Sequence, residues 1–397
     1  MRRLVLLVSA IVLVDTIFFA SLAPLLPTYE EEFGLSKQGA GLLTAIYAAG
    51  GLAGAIPGGL LASRLGVKPT VLIGLGIMVV TSVAFGLANS VWVLDAARFG
   101  QGFGSSVSWT GALAWLVAAA PRERRGELLG IAMGSAVGGA LLGPVLGAAG
   151  ARFGTEVAFG AVAALGLVLI LWASTTPAFP PGEPQKLRRI ADAIRHSRVA
   201  GGFWLVTLAA ILLGVISVLA PLRLDELGWG SLGISVAFLI AAGVEAVANP
   251  FLGRWSDRYG FFVPVRAGLV ASIAASLVLP WADERWTALV LVTLAGIAYG
   301  VFWVPGTALL SHGAEEAGLD QGLAFTLLNM AWAPGNVVGA LVAGSLAAVT
   351  SDAVVYTLAA GLCGLTLLAL GRIAERPPAG SRPGPDAGRQ AASAPAE

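Results

Sequence analysis

The 397-residue chain has little of the chemistry on which most enzymes depend. Its single cysteine, Cys363, allows neither a disulfide bond nor a thiolate metal cluster within one chain. Its two histidines, His196 and His312, fall in predicted polar loops, so zinc binding and Ser-His or Cys-His catalysis lack their usual residues. No Gly-x-x-x-x-Gly-Lys-Ser/Thr string is present, which excludes nucleotide hydrolysis by a P-loop. The sequence therefore predicts a protein that is not an enzyme and holds neither a metal nor a cofactor.

Charged residues are also scarce. They make up 12% of the chain, whereas soluble domains carry about 25%, so there is too little charge to cover a surface in water. The net charge of +1 argues against a nucleic-acid partner, which would require a basic face. Hydrophobic residues make up 57% of the chain, as is typical of an integral membrane protein.

The hydrophobic residues form twelve segments, each long enough to cross the roughly 30 Å hydrocarbon core of a bilayer. The segments lie near 4–25, 39–61, 70–89, 92–118, 127–149, 156–174, 200–222, 232–252, 264–281, 286–309, 321–347 and 353–372. We therefore predict an all-α membrane protein with twelve transmembrane helices. The first segment is interpreted as a spanning helix and not as a signal peptide, because Asp15 interrupts it and no Ala-x-Ala cleavage site follows.

The distribution of basic residues predicts the orientation. If the N-terminus is cytoplasmic, the cytoplasmic segments carry most of the arginines and lysines, whereas the outer connections hold few. Those few are Lys37, Arg152, Arg223 and Arg285, beside three glutamates at 30–32. This asymmetry is the positive-inside pattern. It predicts a multi-pass protein of the plasma (inner) membrane with both termini in the cytoplasm.

The longest connection, near 175–199, divides the chain into a first six-helix bundle at 1–174 and a second at 200–373. Apolar residues in this connection repeat at helical spacing opposite basic ones, as in a helix that lies on the inner membrane surface. A simple cytoplasmic linker fits the segment equally well. The tail at 374–397 is rich in Pro, Gly, Ala and Ser, which predicts a disordered cytoplasmic segment.

The two predicted bundles share short strings. Leu-Ala-Pro-Leu occurs at 22–25 and again at 219–222, and a Gly-x-x-x-x-Arg-x-Gly loop occurs at 59–66 and at 253–260. The candidate gating positions in these loops are Gly59, Arg64 and Gly66 in the first bundle and Gly253, Asp257, Arg258 and Gly260 in the second. An acid and a base at a helix end can pair with a neighbouring helix and latch one conformation. A turn with solvated charges is the simpler alternative.

Small residues recur every four positions in the fifth predicted helix. They include Gly139, Gly143 and Gly147, and Pro144 follows the second of them. Glycines at this spacing let two helices approach closely, and a proline bends a helix. A close-packed, bent helix can seal a transport pathway, and tight packing alone is the simpler interpretation.

These strings resemble those of the major facilitator superfamily over essentially the whole chain apart from the tail. The string at 98–104, Arg-x-x-Gln-Gly-x-Gly, is similar to the family's fourth-helix motif, and the glycine string at 139–147 to the fifth-helix motif of its antiporter branch. The repeated loop is similar to the family's Gly-x-x-x-Asp-Arg-x-Gly signature. Within the family the chain resembles twelve-helix drug–proton antiporters and, more distantly, vesicular monoamine transporters. The resemblance implies two pseudo-symmetric six-helix bundles, the major facilitator fold.

The chain departs from the family pattern at three positions. Ser63 stands where the family usually has aspartate, and Val67 where a base is common, so the first loop is expected to be the weaker latch. Asn329 stands where the amine transporters resemble one another in having an acid, which argues against an aminergic substrate.

Arg98 and two acids interrupt the predicted spans. Arg98 cannot lose its charge and costs roughly 2.5–3.5 kcal/mol near the middle of a spanning helix, unless it has a partner or a water-filled cavity. Asp15 lies ~18 Å along its helix from Arg3, and Glu245 lies ~12 Å from the inner end of the eighth helix. Both acids are therefore predicted to lie well inside the membrane.

Burial favours the protonated form of a carboxyl group. We hypothesise that Asp15 takes up and releases the coupled proton, that Glu245 is a second proton or cation site, and that Arg98 stabilises the deprotonated acid. A structural role, as a buried ion pair or a hydrogen-bonded neutral acid, is the alternative for both acids.

Polar and aromatic residues within the spans are candidates for the wall of a substrate pocket. They are Gln101, Ser105, Trp109, Asn249, Tyr299, Trp303, Asn329, Trp332 and Asn336. Amides and hydroxyls inside helices often do no more than bridge neighbouring helices, which is the alternative for each of these polar groups.

The predicted function is proton-coupled efflux (antiport) of small hydrophobic or cationic organic compounds by alternating access. A single chain in the lipid bilayer would do this, driven by the proton gradient. One negative site cannot easily hold a proton and a cation together, and this favours exchange of the two. The nearest alternative is uptake or facilitated diffusion of a sugar, nucleoside or organic acid, because Arg98 would suit an anion. A channel or receptor is a further alternative, although it would have little use for paired latch loops.

Overall fold

A computed structural model of the chain describes residues 1–121, 124–178, 193–259, 262–319 and 321–374. These residues form fourteen α-helices. The helices are α1 (Arg2–Ala20), α2 (Leu26–Phe33), α3 (Lys37–Arg64), α4 (Val67–Gly86), α5 (Val91–Ala119), α6 (Arg125–Phe153), α7 (Thr155–Ser174), α8 (Ser197–Glu226), α9 (Gly230–Tyr259), α10 (Phe262–Val278), α11 (Arg285–Gly300), α12 (Trp303–Glu316), α13 (Gln321–Val349) and α14 (Asp352–Ala374). Short 3-10 turns lie at Ala23–Leu25 and Leu279–Trp281.

Eleven stretches of the described residues are long and apolar enough to cross a membrane. Two of these stretches combine two helices each, α1 with α2 and α11 with α12. Helix α5 is also long enough at 29 residues, but it is less apolar because Asp95, Arg98 and Gln101 lie on its buried face. With α5 as the twelfth span, the predicted all-α membrane fold is confirmed.

Two spans are broken where the sequence analysis makes them continuous. Helix α1 ends at Ala20, and the chain passes through a 3-10 turn at Pro24 before α2 begins. Proline has no N–H group and therefore cannot continue the hydrogen bonds of a helix. The prediction of an outer loop at 30–32 is wrong, because these glutamates lie in α2. The tenth span breaks in the same way between α11 and α12, just before Pro305.

Neither histidine is placed as a simple loop residue. The prediction of a polar loop at His312 is wrong: it lies in α12, where its Nδ1 atom is 2.8 Å from the carbonyl oxygen of Ala308. His196 directly precedes α8 as its N-cap residue. Both positions are therefore helical or helix-capping.

Helices α1–α7 form the first half of the molecule and α8–α14 the second. Basic side chains gather at one end of the first half, which we call the inner end after the predicted orientation. Here the Nζ atom of Lys68 donates hydrogen bonds to the carbonyl oxygens of Ser174, at 2.6 Å, and Thr176, at 2.9 Å. Arg3 donates to the hydroxyl of Thr175 at 2.8 Å. Positive side chains thus satisfy the carbonyls that remain unpaired where α7 ends.

The two halves are joined at the opposite, outer end. There α3 packs on α13 so closely that a Cβ atom on Gly41 would lie 2.7 Å from the carbonyl oxygen of Ala340 and 2.9 Å from the Cα atom of Gly344. Beside this contact, Lys37 forms ion pairs with Asp352 at 3.0 Å and with Glu226 at 3.6 Å. Both acids belong to the second half, so Lys37 links the halves by charge.

The Arg-x-Gly loop of the first half is ordered, but it forms no latch in the described part of the chain. Gly66 has a φ of 94°, which favours glycine, and it directly precedes α4. Gly59 and Arg64 are exposed at the end of α3, and Arg64 forms no ion pair with a described residue. Ser63, at the position where the family usually has aspartate, donates to the carbonyl of Leu60 in its own helix at 3.0 Å.

Three predictions fall on residues about which the structure says nothing. In the loop of the second half, Arg258 is exposed, but Gly260, the surroundings of Gly253 and the side chain of Asp257 lie outside what the structure describes. Most of the predicted linker, 179–192, and the tail from 375 lie outside them too. The second latch, the surface helix and the disordered tail therefore stay predictions.

The glycine string of the fifth span lies against α1. A Cβ atom on Gly139 would be 2.6 Å from the carbonyl oxygen of Leu13, and one on Gly147 would be 2.6 Å from that of Ser21. Gly143 faces Ala20 between them, and Pro144 lies inside α6. Because real Cβ atoms do not approach carbonyl oxygens this closely, the spacing of α1 and α6 requires glycine.

We expect Gly139→Ala to lower the midpoint of thermal unfolding by several degrees, because the added methyl group overpacks α1 against α6 at a cost of about 1–3 kcal/mol. A maleimide dye can report unfolding through Cys363, the single thiol, which is buried in α14. Gly134→Ala is the matched control, since nothing lies within 4 Å of a Cβ atom there. Equal midpoints for the two variants would contradict the packing argument.

Candidate functional site

The Asp15 carboxyl group lies near the middle of the first span and is 6% exposed. One of its oxygens accepts a hydrogen bond of 3.0 Å from the hydroxyl of Tyr47 on α3. The Ser105 and Trp109 side chains, one turn apart on α5, also turn toward this carboxyl group. Asp15 therefore sits among polar groups from two other helices of the first half.

Arg98 lies beside this group on α5 and is 1% exposed. Its guanidinium donates hydrogen bonds of 3.0 Å to the carbonyl oxygens of Phe18 and Phe19 and one of 3.1 Å to Oε1 of Gln101. The two carbonyls belong to the last turn of α1, where the helix breaks and its C=O groups lack intrahelical partners. A cation is favoured at such a helix end, so the break explains why this span tolerates a buried arginine.

Asp15 and Arg98 form no direct ion pair in the described part of the chain. Tyr47 connects them instead, because its ring lies under the guanidinium, with 4.5 Å between the Arg98 Cζ atom and the ring centroid. A cation over an aromatic face is attracted by the ring's negative face. The predicted effect of Arg98 on the acid would therefore act across a tyrosine ring, and it stays a prediction.

Tyr47 is a residue that the sequence analysis misses. It is the single aromatic residue of α3, whose other residues are mostly glycine, alanine and leucine. A lone tyrosine in such a helix is a signal for a specific polar contact, because its hydroxyl must find a partner when buried. Its partner, Asp15, lies on another helix and leaves no trace in the local pattern.

Aromatic rings connect this group to the second half. The Phe19 ring lies 5.4 Å from that of Tyr47, and the Trp332 ring of α13 meets Phe19 edge-on at 5.3 Å between centroids. Trp332 and Trp303 pack on one small apolar cluster of the second half, which Met133 of α6 also contacts. The two halves thus meet at Phe19, one turn after Asp15 on the same helix.

Several of the predicted pocket residues present buried polar atoms without a protein partner. Within the part of the chain that the structure describes, Nε2 of Gln101 and Nε1 of Trp109 have none, and neither amide atom of Asn336 has one. Each such group costs about 1–3 kcal/mol when it stays unpaired. Water or a bound molecule between the halves would relieve this cost, so these residues fit the wall of a site.

The other predicted pocket residues are placed differently. Tyr299 is fully buried inside the second half, where its hydroxyl lies 2.7 Å from that of Ser276 and serves the packing of α10 on α11. Asn329 is half-buried on α13, and the side chain of Asn249 lies outside the described residues. The pocket assignments, like the other site predictions, stay predictions.

Glu245 provides an acid in the second half. It lies at the middle of α9, and its carboxyl group is seated on Gly300, where a Cβ atom would be 2.6 Å from the Glu245 Cδ atom. No ion pair or side-chain hydrogen bond to Glu245 occurs among the described residues. The carboxyl group therefore faces the break between α11 and α12 without a counter-charge.

Comparison with known proteins shows the family of the chain. Residues 8–319 and 202–396 match the family model of the Major Facilitator Superfamily. The chain is 23% identical over 358 residues to the quinolone resistance protein NorA of Staphylococcus aureus (strain COL), which covers 87% of this chain and 90% of that protein. A shorter match, 29% identical over 118 residues, covers 30% of this chain and 29% of the multidrug resistance protein MdtH of Yersinia pestis (strain Pestoides F).

Solved structures show the same fold. The nucleoside transporter NupG superposes with a TM-score of 0.73 at 15% identity, covering 94% of this chain and 99% of that one. The partially occluded, inward-open xylose transporter XylE from E. coli superposes with a TM-score of 0.74 at 15% identity, covering 96% and 99%. The family model matches nearly the whole chain, and the helices, the motifs and the paired halves agree with it, so this protein belongs to the major facilitator superfamily.

Proposed function

We propose that this transporter exports small hydrophobic or cationic organic compounds in exchange for protons. The observation that carries the proposal is the position of Asp15: a buried carboxyl group of the first half, one turn from the Phe19 ring that contacts the second half, hydrogen-bonded to Tyr47 and without an ion pair to a described residue. Such a group can hold either a proton or a positively charged compound. Entry of one then favours release of the other, which is the coupling that an antiporter needs.

The contacts between the halves support alternating access. At the outer end the halves are joined by ion pairs and by glycine backbones, and a hydroxyl pair links Thr28 to Ser231 at 3.2 Å. These contacts can part without exposing a large apolar core. In the proposal the outer end opens as they part, in a single chain of the plasma membrane with both termini in the cytoplasm and with the proton gradient as its energy source.

The side chains around Asp15 support the proposed substrate class. Phe19, Trp109, Trp332 and Trp303 offer aromatic faces, which bind apolar and cationic groups well. The relative NorA is named for quinolone resistance, which supports export of drug-like compounds. Uptake of a sugar, nucleoside or organic acid is the alternative, and it predicts proton movement of the opposite sign when such a compound is added to the proteoliposomes.

We expect Asp15→Asn to abolish proton-coupled transport, because an amide cannot take up and release a proton. The measurement uses purified protein in liposomes, with ethidium as the probe and a pH-sensitive dye inside. Ethidium accumulation driven by a pH gradient should fall to the level of empty liposomes. Asp95→Asn is the control, since Asp95 is equally buried, at 7% exposure, but lies near the outer end of α5. Full coupling in the Asp15 variant would overturn the proposal.

We expect Glu245→Gln to weaken ethidium binding about fivefold, which corresponds to roughly 1 kcal/mol of lost attraction to a cation. The number of protons released per ethidium bound should stay as in the unmodified protein if Asp15 carries the proton. Equilibrium binding to purified protein measures both quantities. Glu284→Gln, at an exposed carboxylate outside the spans, is the control. Unchanged affinity would assign Glu245 a structural role.

We expect Lys37→Ala to increase the population in which the outer ends are apart. Exposed ion pairs contribute about 0.2–1 kcal/mol, so the increase should be about 1.4- to 5-fold. Spin labels at Leu87 and Val349, both exposed at the outer end, report the separation as a distance distribution. Arg124→Ala is the matched control, because its ion pair with Glu127 joins two residues of one half. Identical distributions for both variants would contradict the role of Lys37.

A further inference from the structure

Tyr47 makes three contacts that no other side chain near Asp15 combines. Its hydroxyl donates to the acid at 3.0 Å, its ring lies 4.5 Å below the Arg98 guanidinium carbon, and the same ring packs on Phe19 at 5.4 Å. We infer that Tyr47 is the positioning residue through which contact between the two halves controls the proton on Asp15. The inference rests on the proposed function, in which Asp15 carries that proton.

The hydroxyl of Tyr47 acts on the acid directly. A hydrogen bond donated to a carboxylate stabilises its charged form. The titratable or charged groups of the described residues that act on Asp15 are Tyr47 on α3 and Arg98 on α5; the uncharged side chains of Ser105 and Trp109 also lie near it. Of these four, Tyr47 alone also carries a ring that contacts the aromatic path to the second half.

Phe19 transmits the position of the second half to Tyr47. Its backbone carbonyl is held by Arg98 at 3.0 Å, so its Cα atom is fixed while its ring can turn. In the structure the Trp332 ring is seated edge-on against Phe19, and Phe19 in turn covers the Tyr47 ring. Trp332 therefore keeps Tyr47 in the orientation in which its hydroxyl reaches Asp15.

This arrangement gives the coupling a direction. While the halves are closed beside Asp15, Tyr47 favours the charged acid. When an opening movement takes Trp332 away, the rings of Phe19 and Tyr47 gain freedom, the hydroxyl leaves the carboxylate, and the acid takes up a proton more readily. Contact between the two halves at Trp332 thus determines whether Asp15, in the first half, holds a proton.

The experiment follows proton release by the full-length protein in detergent when ethidium is added, at a series of pH values and in weak buffer. At high pH Asp15 has already lost its proton, so the pH at which release falls to half marks that loss. We expect Tyr47→Phe to move this midpoint upward by about half to one pH unit, because one hydrogen bond to the charged form is lost. Tyr29→Phe is the matched control, since none of the described residues forms a hydrogen bond with its buried hydroxyl.

The link to the second half is tested by Trp332→Leu. We expect this variant to move the midpoint in the same direction as Tyr47→Phe, and the double variant to move it no further than Tyr47→Phe alone, because the two residues act through one hydrogen bond. Trp332→Phe, which keeps an aromatic edge, should restore most of the original midpoint.

The outcomes separate the inference from the proposed function. Persistent proton release in Asp15→Asn overturns the proposed function. Loss of release in that variant, together with an unmoved midpoint in Tyr47→Phe, overturns the role of Tyr47 and leaves the proposed function standing. A shift in Tyr47→Phe without one in Trp332→Leu overturns control by the second half. The midpoint of thermal unfolding, reported by the buried thiol of Cys363, verifies that each variant is folded.

Discussion

The hydrogen bonds from Arg98 to the last carbonyls of α1 hold the rest of the site in place. A chain inside hydrocarbon must satisfy its backbone polar groups, and the break at Pro24 leaves the carbonyls of Phe18 and Phe19 in need of donors. A guanidinium supplies two donors and a charge suited to a helix end. The cost of the helix break and the cost of the buried charge therefore offset each other. Because these hydrogen bonds fix the last turn of α1, they also fix the position of Asp15, one turn earlier.

Close packing fixes α1 from its other side. The glycines of α6 let the backbone of α6 contact the backbone of α1 at Leu13 and Ser21. Helix α1 therefore cannot shift toward α6 without a clash. The helix that carries the acid is thus a rigid part of the first half. The second half reaches this site through the aromatic side chain of Trp332, which contacts Phe19.

Much of this architecture can be predicted from the sequence, because the membrane imposes simple rules of length and polarity. The fourth span, predicted near 92–118, is observed at Val91–Ala119. The breaks at Pro24 and before Pro305 are missed because a proline can also bend a continuous helix. Arg98 and Asp15 stand out in the sequence as charged residues inside predicted spans, but Tyr47, which contacts both, does not. Tyr47 is distant from both in the chain, and it contacts them only because its helix packs beside theirs in the fold.

The glycine contact between α3 and α13 has a kinetic consequence. Gly41 and Gly344 bring two bare backbones together, so no interlocking side chains have to change rotamer before this surface slides apart. The energy barrier to separating these two helices is therefore low, and the contact can re-form in the original register each time. If transport follows the proposed alternating access, the charges and hydroxyls beside this contact set the rate of each cycle at this end, and turnover becomes sensitive to ionic strength at that face of the membrane.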